Sequence, residues 1–299
     1  MGRRATCGTR VGGHRRWARA TAVALAVGAL ATAVTSCGSE DKPVRLSGGT
    51  FTKELPPEEA RGLKLATDGM ELLKSTPSLR MEVSMTAGST TAGTARRQEI
   101  SLHIDRQSNC TGTFDMGTGQ SGELIVVKGR ASYVRFTDES LDMILRMAES
   151  KGPQVAATAR ERVALVRGKY LKVPKRTGGA AGRMSAPTDQ CDLDKAFAEL
   201  EAPGADGSDD KIQAKSPTYR YGKHVIPLVD PTGEADASMY VAAEGKPYVT
   251  AFEMEENGSR MVMKMSDYGK PVEVEAPPAS MVVDADDVRG PAGADLFEV

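Results

Sequence analysis

Between Leu79 and Asp105 the chain alternates apolar and polar residues with a period of two. Leu79, Met81, Val83 and Met85 are separated by Arg80, Glu82 and Ser84, and Ile100, Leu102 and Ile104 by Ser101 and His103. Successive side chains of a strand point to opposite faces, so this spacing predicts two half-buried antiparallel strands joined by a Gly/Thr/Ser turn. Cys110 to Met116, Gly122 to Lys128 and Arg130 to Phe136 continue the pattern, with Gly117 to Gly122 and Gly129 as turns. The expected product is a meander with local connections.

A helical period precedes and interrupts this meander. In Glu58 to Thr76, Leu63, Ala66, Met70 and Leu73 recur at three and four residues, and Pro77 stops the run. Leu141, Ile144, Leu145 and Ala148 mark a helix over Asp138 to Ser150, and Val155, Ala159, Val163 and Val166 mark another over Gln154 to Val166. Pro153, one residue earlier, suits a helix start. Lys169 to Pro174 reads as a short strand, Lys175 to Gln190 as a loop, and Asp192 to Leu200 as a short helix.

Strand patterns return over Lys211 to Ala214, Tyr219 to Leu228, Ala237 to Ala242, Tyr248 to Glu255, Arg260 to Ser266 and Pro271 to Glu275. Between them stand turn sequences, of which Asn257-Gly258 is the sharpest hairpin signal. The fold class is therefore α+β: one large curved antiparallel sheet, a half-barrel, with helices packed on one face. It occupies residues 58–288, with a helical insertion at about 138–200 and a loose tail at 289–299.

The N-terminal pattern belongs to no such domain. Arg3, Arg4, Arg10, Arg15, Arg16 and Arg19 lead into an Ala/Val/Leu run from Ala20 to Val34, followed by Thr35-Ser36-Cys37. That order is the layout of a bacterial lipoprotein signal over residues 1–36. The run is shorter than the roughly twenty residues a membrane-crossing helix needs, which disfavours an uncleaved anchor. Cys37 is the expected lipid attachment site, because several acyl chains on one residue give a stable anchor where one does not. Arg15-Arg16-Trp17 leaves twin-arginine export open beside the general route. Residues 37–57, punctuated by Pro43, Gly48-Gly49 and Pro56-Pro57, read as a tether holding the domain off the outer face of the cell membrane.

Without the signal the chain has 33 basic and 40 acidic residues, a formal charge of −7, which makes nucleic acid a poor partner. Of four cysteines, one leaves with the signal and Cys37 is acylated, so Cys110 and Cys191 remain. In an oxidising compartment two leftover cysteines most simply form a disulfide, and their spacing fits no zinc motif.

Three stretches carry a resemblance. Gly122-Glu123-Leu124-Ile125-Val126-Val127 leads to Ala131-Ser132-Tyr133-Val134; Gly168-Lys169-Tyr170-Leu171-Lys172-Val173-Pro174 follows; and Ser266-Asp267-Tyr268-Gly269-Lys270-Pro271-Val272 stands before Ala276-Pro277-Pro278. With the order of tether, helix, meander, insertion and second meander, they resemble the actinobacterial LppX/LprG lipoproteins, which share the half-barrel of the carrier LolA. The resemblance spans roughly residues 60–285. It implies a hydrophobic cavity between sheet and helices that holds acyl chains, for carrying lipids or lipoproteins from the membrane. It transfers no ligand residue position by position, and this chain departs from smaller members by its insertion, which is placed to cover or fill such a cavity.

The candidate cavity lining is the inward set of several strands: Met81, Val83, Met85, Ile100, Leu102, Ile104, Met254, Met261, Met263 and Met265. Methionine is flexible and polarizable and adapts to disordered chains. The same set also suits an ordinary core in a protein with few aromatics. Met261, Met263 and Met265 admit a third reading, a thioether site for Cu(I), but no His or Cys is near.

No catalytic residues are expected. His103 and His224 lie in strand patterns without a nucleophile elbow or metal-binding helix around them, and Gly117 to Gly122 matches a dinucleotide fingerprint by spacing alone. Asp209-Asp210 and Asp284-Asp286-Asp287 admit calcium or plain solvation. Neither a cofactor nor a resident metal is expected. The function expected is a membrane-anchored lipoprotein that binds, and in one version transfers, acyl lipids. The alternative is an envelope-sensing module of the same fold that binds a protein partner and no lipid.

Overall fold

The computed structural model describes residues 55–86, 97–117, 119–128, 131–173, 191–198, 211–232, 236–256 and 258–288. The signal, Cys37, all but the last residues of the tether, the loop from Lys175 to Gln190, Asp209-Asp210 and the tail lie outside them.

Helix α1 (Pro57–Ser75) starts with Pro57 in its first turn beside Glu58 and Glu59, whose charges favour a helix N-terminus, and it gives way to extended backbone at Thr76 before Pro77. Its buried face is Gly62, Ala66, Gly69, Met70 and Leu73. Two members of that face are glycines because the helix lies against backbone. A Cβ on Gly62 would stand 2.2 Å from the Ile212 carbonyl oxygen, and one on Gly69 would stand 2.9 Å from that of Pro247.

Strands β1 (Ser78–Thr86), β2 (Arg97–Asp105), β3 (Cys110–Asp115), β4 (Ser121–Val127) and β5 (Ala131–Phe136) form the expected meander. Helices α2 (Asp138–Ser150) and α3 (Pro153–Val166) follow, then β6 (Tyr170–Val173), α4 (Leu193–Ala198), β7 (Gln213–Ala214), β8 (Thr218–Arg220), β9 (Lys223–Val229), β10 (Ala237–Ala242), β11 (Val249–Glu256) and β12 (Ser259–Ser266). Short β13 (Val282–Asp284) and α5 (Ala285–Val288) end the described chain. All these strands form one unclosed sheet in the order β13-β6-β5-β4-β3-β2-β1-β12-β11-β10-β9-β7, with β8 on β9. The fold is an α+β half-barrel. Its central join is non-local: β12 pairs with β1, and Met81 stands opposite Met265.

Three expectations at strand level are corrected. Tyr219 to Leu228 is not one strand but the β8–β9 hairpin, because Tyr221 and Gly222 both adopt left-handed backbone (φ 51° and 73°) and reverse the chain. Lys211 to Ala214 contracts to β7. Pro271 to Glu275 joins no ladder; the edge is instead β13, which runs parallel to β6 through Val282–Tyr170 and Val283–Leu171.

The helices share one core with the inner face of the sheet, including Met70 and Leu73 of α1, Leu141 and Ile144 of α2, and Val163 and Val166 of α3. Thr137 caps α2 by accepting from the Ser140 N–H, and Ser140 itself accepts from the Ser121 N–H and donates to the Gly119 carbonyl. Arg167, at the end of α3, clamps Asp138 and Asp142 of α2. A disulfide joins Cys110 on β3 to Cys191 ahead of α4 across 81 residues of sequence. Among the described residues no helix is long and apolar enough to cross a membrane.

Candidate functional site

The pairing registers arrange the inner face in rows across the strands. The deepest row holds Ile104 and Leu79; the next holds Leu102, Met81 and Met265. A third runs Ile100, Val83, Met263, Phe252, Met239 and Leu228, and the outermost runs Gln98, Met85, Met261, Met254 and Ala237. Strand alternation together with these registers places all ten candidate residues on this one face.

Exposure rises from row to row along β1, β12 and β11, while Ile100 and Leu228 at the ends of the third row stay buried. Leu79, Leu102 and Ile104 are fully buried, and Met81 and Met265 keep 5% and 1% of their surface. In the third row Val83, Met263, Phe252 and Met239 are partly buried against the core. In the outermost row Met85 is 37% exposed and Met254 41%. The ten residues are therefore of two kinds. Met81, Ile100, Leu102, Ile104 and Met265 belong to the closed core, whereas Met85, Met254 and Met261, with Val83 and Met263 behind them, make up the more exposed end of the same face, its mouth. Met239 and Phe252 complete that mouth. The alternation of Met239 and Val241 with Ser238 and Tyr240 was the signal that could have found Met239.

The opposite face mixes charged, hydroxyl and apolar side chains and carries a groove of about 790 Å³. Ser84, Thr86, Ser101, Thr113 and Ser121 supply hydroxyls to its lining, and Glu82, Glu99, Asp115, Glu123, Arg97, Arg260 and Lys264 supply charges. The three cations are paired: Lys264 with Glu82, Arg97 with Glu99, and Arg260 with Glu253. Beside the groove, Glu253 accepts from Tyr240 at 2.8 Å and from Arg220 at 3.0 Å as well as from Arg260. Burial pushes the Glu253 carboxyl up, but these donors outweigh it and hold it at about 2. At the other end burial likewise raises Glu123, yet its bonds from Arg135 (2.7 Å) and Tyr170 (2.9 Å) leave it below the usual carboxylate range.

Tyr221 closes the groove at the Glu253 end. Its ring meets Tyr240 edge-on with centroids 6.0 Å apart, and Arg220 lies 5.1 Å from its centroid. Its hydroxyl is buried beside Glu253 and adds to the donors that lower that carboxyl, whereas Nε2 of His103 is buried without a hydrogen-bond partner among the described residues. The left-handed backbone of Tyr221 is what lets the turn fold this ring back onto the sheet, and no period in the sequence signals it.

The two histidines among the described residues stand apart in the sheet. His103 is on β2 opposite Arg80; His224 on β9 stacks on Tyr219 at 5.0 Å and bonds Glu244 through Nδ1 at 3.1 Å. Among the described residues no group of three or more His, Cys, Asp or Glu is placed to hold a metal ion. Asp284 pairs with Lys172. The three methionines of β12 share a face, but Met265 is sealed in the core while Met261 is at the mouth.

Fold and site together define an unclosed half-barrel with an apolar inner face and a grooved outer face of mixed character. No family model and no curated protein matches the chain. It is similar to solved structures of lipoprotein LppX from Mycobacterium tuberculosis (10% identity, 73% of this chain and 100% of that one, TM-score 0.38). It is also similar to LprF from Mycobacterium bovis (12%, 74% and 98%, TM-score 0.44). A third is a LolA-superfamily protein from Nitrosomonas europaea (9%, 73% and 96%, TM-score 0.26).

Proposed function

We propose that this protein is an extracytoplasmic lipoprotein, anchored through Cys37 to the outer face of the cell membrane, that binds acyl chains against the inner face of its half-barrel. The observation that carries the reading is the outermost row, in which three methionines on adjacent strands line the open end of an otherwise closed apolar face. Apolar surface of this kind binds by area rather than by directed contacts, and thioether side chains adjust to chains of differing shape. The sequence of residues 37–57 supports the reading, because a polar segment punctuated by Pro43, Gly48-Gly49 and Pro56-Pro57 suits a spacer between a lipidated Cys37 and the domain. The reading involves no covalent catalysis.

The test uses the chain from residue 38 onward, which has no lipidated cysteine. Organic extraction of the purified protein is expected to release lipid in stoichiometric amount, and a fluorescent fatty acid is expected to bind saturably. Protein that yields no lipid and binds no probe would falsify the reading.

The groove on the opposite face, lined by charged and hydroxyl side chains as well as Val262 and Tyr221, favours a second reading, an interaction module for an envelope protein. A photo-crosslinker at Ser84 that captures one envelope protein, in a chain that binds no acyl probe, is the result expected on that reading.

A further inference from the structure

The thioether row at the mouth is also an open oxidation target. Met85 and Met254 flank the half-buried Met261 at paired positions, 37% and 41% exposed, while Met81 and Met265 in the core keep 5% and 1%. Both described cysteines are joined to each other, so among the described residues no thiol competes for an oxidant. Among the described residues the other exposed methionines, Met147 at 45% and Met281 at 37%, sit on α2 and just before β13, off this face.

We propose that Met85 and Met254 form a modification site whose oxidation by hydrogen peroxide turns the mouth from apolar to polar. This rests on the acyl-binding reading for its consequence, although not for its chemistry. A sulfur lone pair attacks one peroxide oxygen, the S–O bond forms and the O–O bond breaks. The proton on the transferred oxygen passes to the departing hydroxide. Sulfur is oxidised by two electrons to the sulfoxide, and the peroxide is reduced to water. The product replaces a soft apolar side chain by a strongly polar one. An acyl chain lying across the row must then strip water from two sulfoxide oxygens that find no donor in the chain. The change is reversible, because methionine sulfoxide reductases use two thiols to regain the thioether, giving a disulfide and water.

The chain from residue 38 onward is treated with hydrogen peroxide, the sites of conversion are mapped by peptide mass spectrometry, and cis-parinaric acid is titrated before and after. Met85 and Met254 are expected to convert ahead of Met81 and Met265. Affinity is expected to fall about tenfold, which corresponds to ~1.4 kcal/mol. Treatment with both sulfoxide reductases restores it, with the reductant alone as the control for the disulfide. In a chain carrying Met85→Leu and Met254→Leu, affinity does not change on treatment, whatever its starting value, although Met147 and Met281 still convert. An equal loss in that variant, or conversion of Met81 or Met265 first, overturns the proposal. Untreated protein that binds no probe overturns the acyl-binding reading alone, and the order of conversion then decides the modification site by itself.

Discussion

Gly62 of α1 faces the carbonyl of Ile212 so closely that a methyl group cannot stand between them: the added Cβ would lie 2.2 Å from that oxygen. In an exposed helix, replacing glycine by alanine gains about 1 kcal/mol. Here the sign reverses, because the obstacle is backbone on both sides and neither can turn away. Gly62→Ala is expected to lose about 2 kcal/mol or more of folding stability. Urea unfolding of the two proteins checks this, and a stabilised variant would show that α1 does not rest on β7.

The disulfide between Cys110 and Cys191 closes a loop of 81 residues. On the chain-entropy account a loop of that size stabilises by about 4 kcal/mol, less whatever strain the native bond carries. The two cysteines are buried, so each also packs as a small apolar group. The Cys110→Ala, Cys191→Ala double variant is therefore expected to fold but to unfold at clearly lower urea. Reduction of the wild-type protein should produce nearly the same shift, since both remove the same constraint.

Glu253 gathers Tyr240, Arg220 and Arg260, which ties the β8–β9 hairpin and β10 to β11 and β12. Its carboxyl titrates at about 2 in the folded protein against 4.5 unfolded. The unfolded chain thus binds more protons between those values, so stability rises with pH through that window and falls on acidification. After allowance for solvent screening, the loss between pH 4.5 and pH 2 is on the order of 2 kcal/mol. Glu253→Gln is expected to be less stable at neutral pH and to have a flatter stability profile across the same window. Unfolding curves at several pH values measure both.

Much of this fold is written in local pattern. The alternation through Met81, Val83 and Met85 sets strand and face together, so the shared face of the mouth methionines is legible once the strands are recognised. That β1 and β12 are neighbours is not legible, because the pairing of Met85 with Met261 joins positions far apart in sequence. Tyr221 was hidden for a different reason. A tyrosine with positive φ sits in a run of β-type residues, and of the two turn residues only Gly222 carries a turn signal. Gly62 and Gly69 escaped a helical count that registers apolar side chains, although their lack of one is what seats the helix. Pro271 to Glu275 alternates as a strand should and yet finds no partner, since pairing depends on which edge is free.

Position in the row order separates stability from binding. Met81 is 5% exposed, among core neighbours that include Leu102 and Met265, so Met81→Ala leaves a cavity and is expected to lose about 2–5 kcal/mol of stability. Met254, at 41% exposure two rows further out, gives up few contacts on substitution. Met254→Glu is accordingly expected to change stability by no more than about 0.5 kcal/mol. Yet its carboxylate would stand in the same row as Met85 and Met261, where an acyl chain must cross, and burying it against hydrocarbon is costly. The affinity for a fluorescent fatty acid should therefore fall about tenfold in Met254→Glu, a loss of ~1.4 kcal/mol in binding, with hardly any in folding. Urea unfolding and probe titration on the same two variants decide it. If binding follows stability, with Met81→Ala the weaker binder and Met254→Glu unaffected, the acyl chains do not enter past the methionine row.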